Sequence, residues 1–184
     1  MKTRVNNGPF TALLQQKNVL PWLIYGLATL LVLLLQTAPN SFVTVFHARP
    51  LPLISFVLCV AVLGGARTGV AVGVLAGILW GGFSFRLFEF DALVLMLFGL
   101  AAGLLVEWYL RANFYTAMLL CTGGVFLHVL LEWFFCYVIF QKPNLSEVLL
   151  KVLLPNGAYT LIVTPFVYMF CYLIARFIRR RANN

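Results

Sequence analysis

The chain has 184 residues, of which 62% are hydrophobic and only 10% charged, with a formal net charge of +8. A soluble domain carries about a quarter of its residues as charged side chains, so this composition excludes that class and predicts an integral membrane protein. The positive charge is no nucleic-acid signature, because the basic residues sit in short connections and at the two ends, where membrane topology places them.

A polar leader, 1–18, precedes the first apolar run, Val19 to about Gln36, which Pro39-Asn40-Ser41 closes. That run is too long for a signal-peptide core and reads as a retained helix. Within the leader, Phe10 to Lys17 could lie along the inner surface. The second run, Leu51 to Leu63, is short, with Pro50 and Pro52 setting its start, and could be a re-entrant arm. Gly64-Gly65-Ala66-Arg67 makes a tight turn into the third, Thr68 to Phe83. The fourth spans Asp91 to Leu110, with Asp91 placed to cap its N-terminus. The fifth is long, Phe114 to Phe140, and the sixth runs from Gly157 to Ala175. Between these two, Asn144 and Glu147 form a capping-box pattern, predicting a short surface helix over Leu145 to Leu154. The fold class expected is all-α, a polytopic bundle of about six transmembrane helices over 19–175, followed by a basic cytoplasmic tail, 176–184.

Charge sets the expected orientation. With six spans and the N-terminus inside, the cytoplasmic side holds Lys2, Arg4, Lys17, Arg67, Arg111, Arg176, Arg179, Arg180 and Arg181, nine of the thirteen basic residues; Arg49, Arg86, Lys142 and Lys151 lie outside. Five spans would put the arginine tail outside, against the positive-inside rule. Both termini are therefore expected in the cytoplasm.

The third run carries a glycine at every fourth position: Gly69, Gly73, Gly77 and Gly81. On a helix these share nearly one face, drifting by roughly 40° per step, and leave a bare strip of backbone that a second helix can approach closely. Two roles are open. The strip can pack inside the bundle, with Gly99 and Gly103 of the fourth run as its mate, or the Gly73 and Gly77 part can face outward and receive a partner helix.

His128 and Glu132 are spaced i,i+4 on the fifth run, an ionisable pair at membrane depth. A proton relay or a contact with a substrate carboxylate is one reading. A hydrogen-bonded packing pair is the preferred one, since Glu132 falls near the outer end beside the interface residue Trp133. Glu107 and Arg111 have the same spacing at the inner end of the fourth run and predict a helix-end ion pair, flanked by Trp108 and Tyr109. Pro165 interrupts the sixth run, where Thr160 and Thr164 could satisfy the carbonyls it loosens. Cys59, Cys121, Cys136 and Cys171 lie in apolar stretches without ligand spacing and read as small buried hydrophobes. No nucleophile with its base, metal cluster, phosphate loop or paired carboxylate is present in the sequence pattern; no enzyme activity and no cofactor is expected.

Several short motifs occur in a characteristic order: Leu33-Leu34-Leu35-Gln36-Thr37-Ala38-Pro39 at the end of the first run, Arg49-Pro50 before the second, Ala76-Gly77-Ile78-Leu79-Trp80 in the third, and Tyr159, Thr160 and Pro165 in the last, with a basic tail after it. From about Trp22 to Arg181 this order resembles the MreD family, the small multi-span rod shape-determining proteins of bacteria. Two positions depart from the family pattern, Gly81 where Asp is common and Thr160 where Asn is common. The resemblance implies a non-enzymatic scaffold of the cell-wall elongation machinery. Its partners would be an MreC-like bitopic protein and, through it, a RodA-type glycan polymerase, a class B penicillin-binding protein and MreB. It also implies a bundle similar to the substrate-binding subunits of energy-coupling-factor transporters. That likeness supplies the alternative, a vitamin-binding subunit. Against it, the first run lacks the Ala-x-x-x-Ala docking motif typical of those subunits, and only His128, Glu132 and Asp91 could line a pocket.

Overall fold

The computed structural model describes residues 19–37, 51–84, 88–110, 112–135 and 154–182. Among these residues there are six α-helices and no strand: α1 Val19–Thr37, α2 Pro52–Gly64, α3 Ala66–Ser84, α4 Phe88–Trp108, α5 Phe114–Trp133 and α6 Leu154–Ala182. Five begin or end within a few residues of the apolar runs. The largest difference is in α6, which continues to Ala182 and so takes the basic tail from Arg176 onward into the helix. α4 starts three residues before Asp91, which therefore lies inside the first turn instead of capping it. Asn144, Glu147, Cys136, Arg111 and the leader fall outside the described residues.

α2 is the axis of the bundle. All of its residues are buried, and it packs on α1, α3, α4, α5 and α6. The reason is in its composition: Leu, Ile, Phe, Val, Cys and Ala occupy every face, with Ser55 the lone hydroxyl. A helix apolar all round has no face to offer water. At 13 residues it is about 20 Å long, short of the ~30 Å hydrocarbon thickness. A single residue, Gly65, joins it to α3. Gly65 has φ 81°, the left-handed region that costs a side-chain-bearing residue energy and costs glycine none. Its N–H donates to the Ala61 carbonyl at 2.9 Å, and its own carbonyl accepts from Gly69 N–H at 3.0 Å.

The pairs α1–α2, α3–α4 and α5–α6 run antiparallel. Gln36 at the end of α1 reaches Leu53 at the start of α2; α3 and α4 meet with opposed registers; Gly157 at the start of α6 lies against Val129 and Val125 late in α5. Ile24 early in α1 and Phe177 late in α6 line one groove. The start of the first helix and the end of the last are thus on the same side of the bundle.

The outside is as apolar as the inside. Leu23, Leu27, Leu30, Leu31 and Leu34 give α1 an exposed leucine face, with Leu27 69% exposed, and Ile162, Phe166 and Met169 do the same for α6. Water-soluble monomers rarely expose contiguous apolar patches beyond a few hundred Å². Among the described residues, two helical stretches are long and apolar enough to cross a membrane, Phe114–Trp133 and Leu154–Ile178.

Candidate functional site

Two structural centres hold the glycines and threonines singled out in the sequence. The first is the seam between α3 and α4. A Cβ built on Gly69 would collide with the Gly99 carbonyl oxygen, and one on Gly99 with that of Gly69. At Gly73 it would lie 2.5 Å from the Leu95 carbonyl oxygen; at Gly77 it would strike the Ala92 backbone, and at Gly103 that of Ala66. The two backbones therefore touch over about 11 residues, or roughly 17 Å of helix. No side chain can be inserted without separating them.

The outward placement of Gly73 and Gly77 is thus incorrect: both face α4. The physical reason is that α4 carries its own small residues, Ala92, Gly99 and Gly103, at the opposed register, so the strip is covered within the chain. Gly81 is buried near the end of α3. By contrast, Gly26 on α1 and Gly123 on α5 meet nothing within 4 Å.

The second centre is the head of α2. A helix start leaves up to four amides without intrahelical acceptors, and here Leu51 occupies the N-cap with no capping side chain. Pro52 has no N–H to satisfy. The remaining donors are accounted for one by one. Leu51 N–H donates to Thr160 Oγ1 at 2.9 Å, Leu53 N–H to Gln36 Oε1 at 3.2 Å, and Ile54 N–H to the Leu51 carbonyl at 3.3 Å. Leaving one such buried amide unpartnered costs about 1–3 kcal/mol.

Hydroxyl protons can be placed from the same network, because each hydroxyl has one to give. Thr160 donates to the Asn156 carbonyl at 2.7 Å, so it accepts from Leu51. Thr164 donates to the Thr160 carbonyl at 2.8 Å; in the 2.8 Å contact between Ser55 and Thr164, Ser55 is then the donor. This corrects the role expected for the threonines. The carbonyl that Pro165 deprives of its donor is that of Leu161, four residues back, and neither hydroxyl goes to it. They tie α6 to the start of α2 instead.

Glu107 has a partner on α3, while Arg111, its expected ion-pair partner, lies outside the described residues. The Glu107 Oε1 accepts from the Ala66 N–H at 2.9 Å, so it caps the first residue of α3 across the chain. A carboxylate there also faces the positive end of that helix's dipole. Since Gly65 is the whole connection, the chain itself offers no capping side chain at this point.

His128 is 2% exposed. Its ring stacks on Trp80 of α3, centroids 6.0 Å apart at 11°, and meets Phe98 of α4 edge-on at 6.3 Å. It thereby holds α5 against the α3–α4 pair, with half-buried Glu132 one turn further along. Cys59, Cys121 and Cys171 are buried free thiols, with Cys59 and Cys121 sulfurs 3.8 Å apart between α2 and α5. Among the described residues no group of His, Cys, Asp and Glu could hold a metal ion.

Gln36, Ser55 and the cross-chain use of Glu107 were missed as functional positions in the sequence. The available signal was the start of α2, where two prolines flank a leucine and no Ser, Thr, Asp or Asn stands at the cap. Such a start requires acceptors from elsewhere. Comparison with family profiles, curated proteins and solved structures finds no match for the chain.

Proposed function

We propose that this protein is a six-span, non-enzymatic scaffold of the MreD type in the bacterial cytoplasmic membrane. It would act in cell-wall elongation through helix contacts with an MreC-like bitopic protein. The observation that carries the reading is a convergence. The motifs behind the resemblance lie far apart in sequence, yet Gln36 of the first and Thr160 of the last both bond amides at the head of α2. Residues so dispersed, meeting at one structural joint, are what a shared bundle architecture requires.

Antiparallel helices with the first and last ends on one side support an even number of crossings. The apolar exterior supports lipid around the bundle. The central α2 need not reach both surfaces, because its exposed amides are satisfied by neighbouring helices. With the α3–α4 seam covered within the chain, the reading assigns the partner to the outward faces, where α1, α5 and α6 present leucine and phenylalanine.

Three measurements test the proposal. Single cysteines replacing Lys2 and Asn184 in a cysteine-free background should resist an impermeant thiol reagent in intact cells, and one at Asn144 should react. Labelling at Asn184 from outside would refute six spans. Affinity purification from mild detergent should recover a bitopic membrane protein of the MreC type, and depletion should round rod-shaped cells. Recovery of an ATPase-driven transporter module instead would favour the vitamin-binding alternative.

A further inference from the structure

α1 and α6 both pack on α2, and between them, toward the side where α1 starts and α6 ends, a groove of about 490 Å³ remains. Phe170, Leu173, Ile174 and Phe177 line it from α6, and Ile24 from α1. The α6 residues recur at i, i+3, i+4 and i+7, one face of a helix. The sixth lining residue is Arg176, exposed at the edge of that stripe, and Arg179, Arg180 and Arg181 follow in the same helix.

We infer that this groove binds one anionic phospholipid of the cytoplasmic leaflet, with an acyl chain along the apolar stripe and the phosphate on Arg176. The inference rests on the membrane reading above. The wall offers hydrocarbon contact and one guanidinium, which matches an amphiphile with a single anionic head. A water-soluble ligand would need several convergent polar groups, and among the described residues the lining has none besides Arg176. A partner's transmembrane helix needs about 30 Å of surface, whereas the α6 stripe from Phe170 to Phe177 is about 10.5 Å long. Arginine engages phosphate through paired N–H donors. Among the described residues no lining residue is acidic, so none of them would hold the ammonium group of a zwitterionic head.

The test uses the full chain reconstituted in vesicles of equal phosphatidylglycerol and phosphatidylethanolamine, extracted in mild detergent and weighed with its retained lipids by native mass spectrometry. One phosphatidylglycerol should be retained per chain in preference to phosphatidylethanolamine. Arg176→Gln should reduce that preference about tenfold, the size expected for losing a charged hydrogen bond, without changing helical content. Leu173→Trp, which fills the groove, should lose both lipids; Leu173→Phe serves if the larger residue prevents folding. Equal retention of the two lipids by the unaltered chain would overturn the proposal. So would loss of preference on replacing Arg179, Arg180 and Arg181 together while Arg176→Gln leaves it intact, since a general basic surface would then be the cause. Carbonate extraction of cell membranes separates the two ideas: a chain that washes off fails the membrane reading itself, whereas one that stays but shows no preference fails only the lipid site.

Discussion

The α3–α4 seam and the head of α2 solve the same problem, holding one apolar helix to another, by opposite means. At the glycines of the seam the contact is essentially backbone against backbone, with Glu107 bonding Ala66 only at one end, and its strength is the dispersion gained by close approach. At the head of α2 the contact is made by Gln36, Thr160, Ser55 and Thr164, with every amide assigned an acceptor. The difference is one of tolerance. A seam of glycines admits no added atom, because its neighbours are carbonyl oxygens and Cα atoms that cannot rotate away. A hydroxyl network tolerates a change of shape as long as the acceptor survives. Apolar contact sets how near two helices come, and hydrogen bonds to a helix end set where along its axis a neighbour stops.

The largest effect is expected at the seam. Leucine at Gly69 or Gly99 should reduce the folded, monodisperse protein by most of its amount in fluorescence-detected size exclusion. The penalty reaches or exceeds the upper end of the ~1–3 kcal/mol usual for overpacking, because the facing atom is a backbone oxygen. Near-normal yield from Gly69→Leu together with Gly99→Leu would mean the two helices are not in backbone contact.

Next comes the α2 head. Thr160→Val keeps the shape and removes the acceptor for Leu51, so it should cost about 1–3 kcal/mol in detergent unfolding followed by circular dichroism. Thr160→Ser should restore most of that loss. If serine were as damaging as valine, packing of the methyl group and not the hydroxyl would be the determinant.

A smaller loss is expected from Gln36→Leu, about 1 kcal/mol, since the bond it removes is the longer of the two at 3.2 Å. Glu107→Gln retains an oxygen for the Ala66 amide and loses only the charge at the α3 N-terminus. Its cost should be about 0.3–1 kcal/mol and should shrink as salt is added. A loss independent of salt would point to the hydrogen bond's geometry instead.

The smallest effect sharpens the contrast within one residue type. Gly123→Ala should be neutral or stabilising by up to about 1 kcal/mol, because a Cβ at Gly123 meets nothing within 4 Å. The same change at Gly77 should be destabilising, since the Ala92 backbone occupies the space. Equal outcomes at the two positions would remove the distinction between sealed and open glycines.

Much of this architecture follows from the order of residues alone. Hydrophobic run lengths, the prolines before α2 and the Gly64-Gly65 turn mark where the helices start and stop, because those signals act through the local backbone. Periodicity likewise shows that Gly69, Gly73, Gly77 and Gly81 share a face, and that Gly99 and Gly103 do too. It cannot show that the two faces oppose each other, since register is a property of a pair of helices. Outward and inward placements of Gly73 and Gly77 read identically in one dimension. The same limit hid the partners of Glu107 and Thr160. Sequence spacing shows only neighbours about a turn away, while the structure also joins Glu107 to Ala66 and Thr160 to Leu51, 41 and 109 residues distant. A hydrogen-bonding group in an apolar bundle goes to whichever unpaired amide the fold brings within reach, and helix ends, where those amides are, come together only in three dimensions.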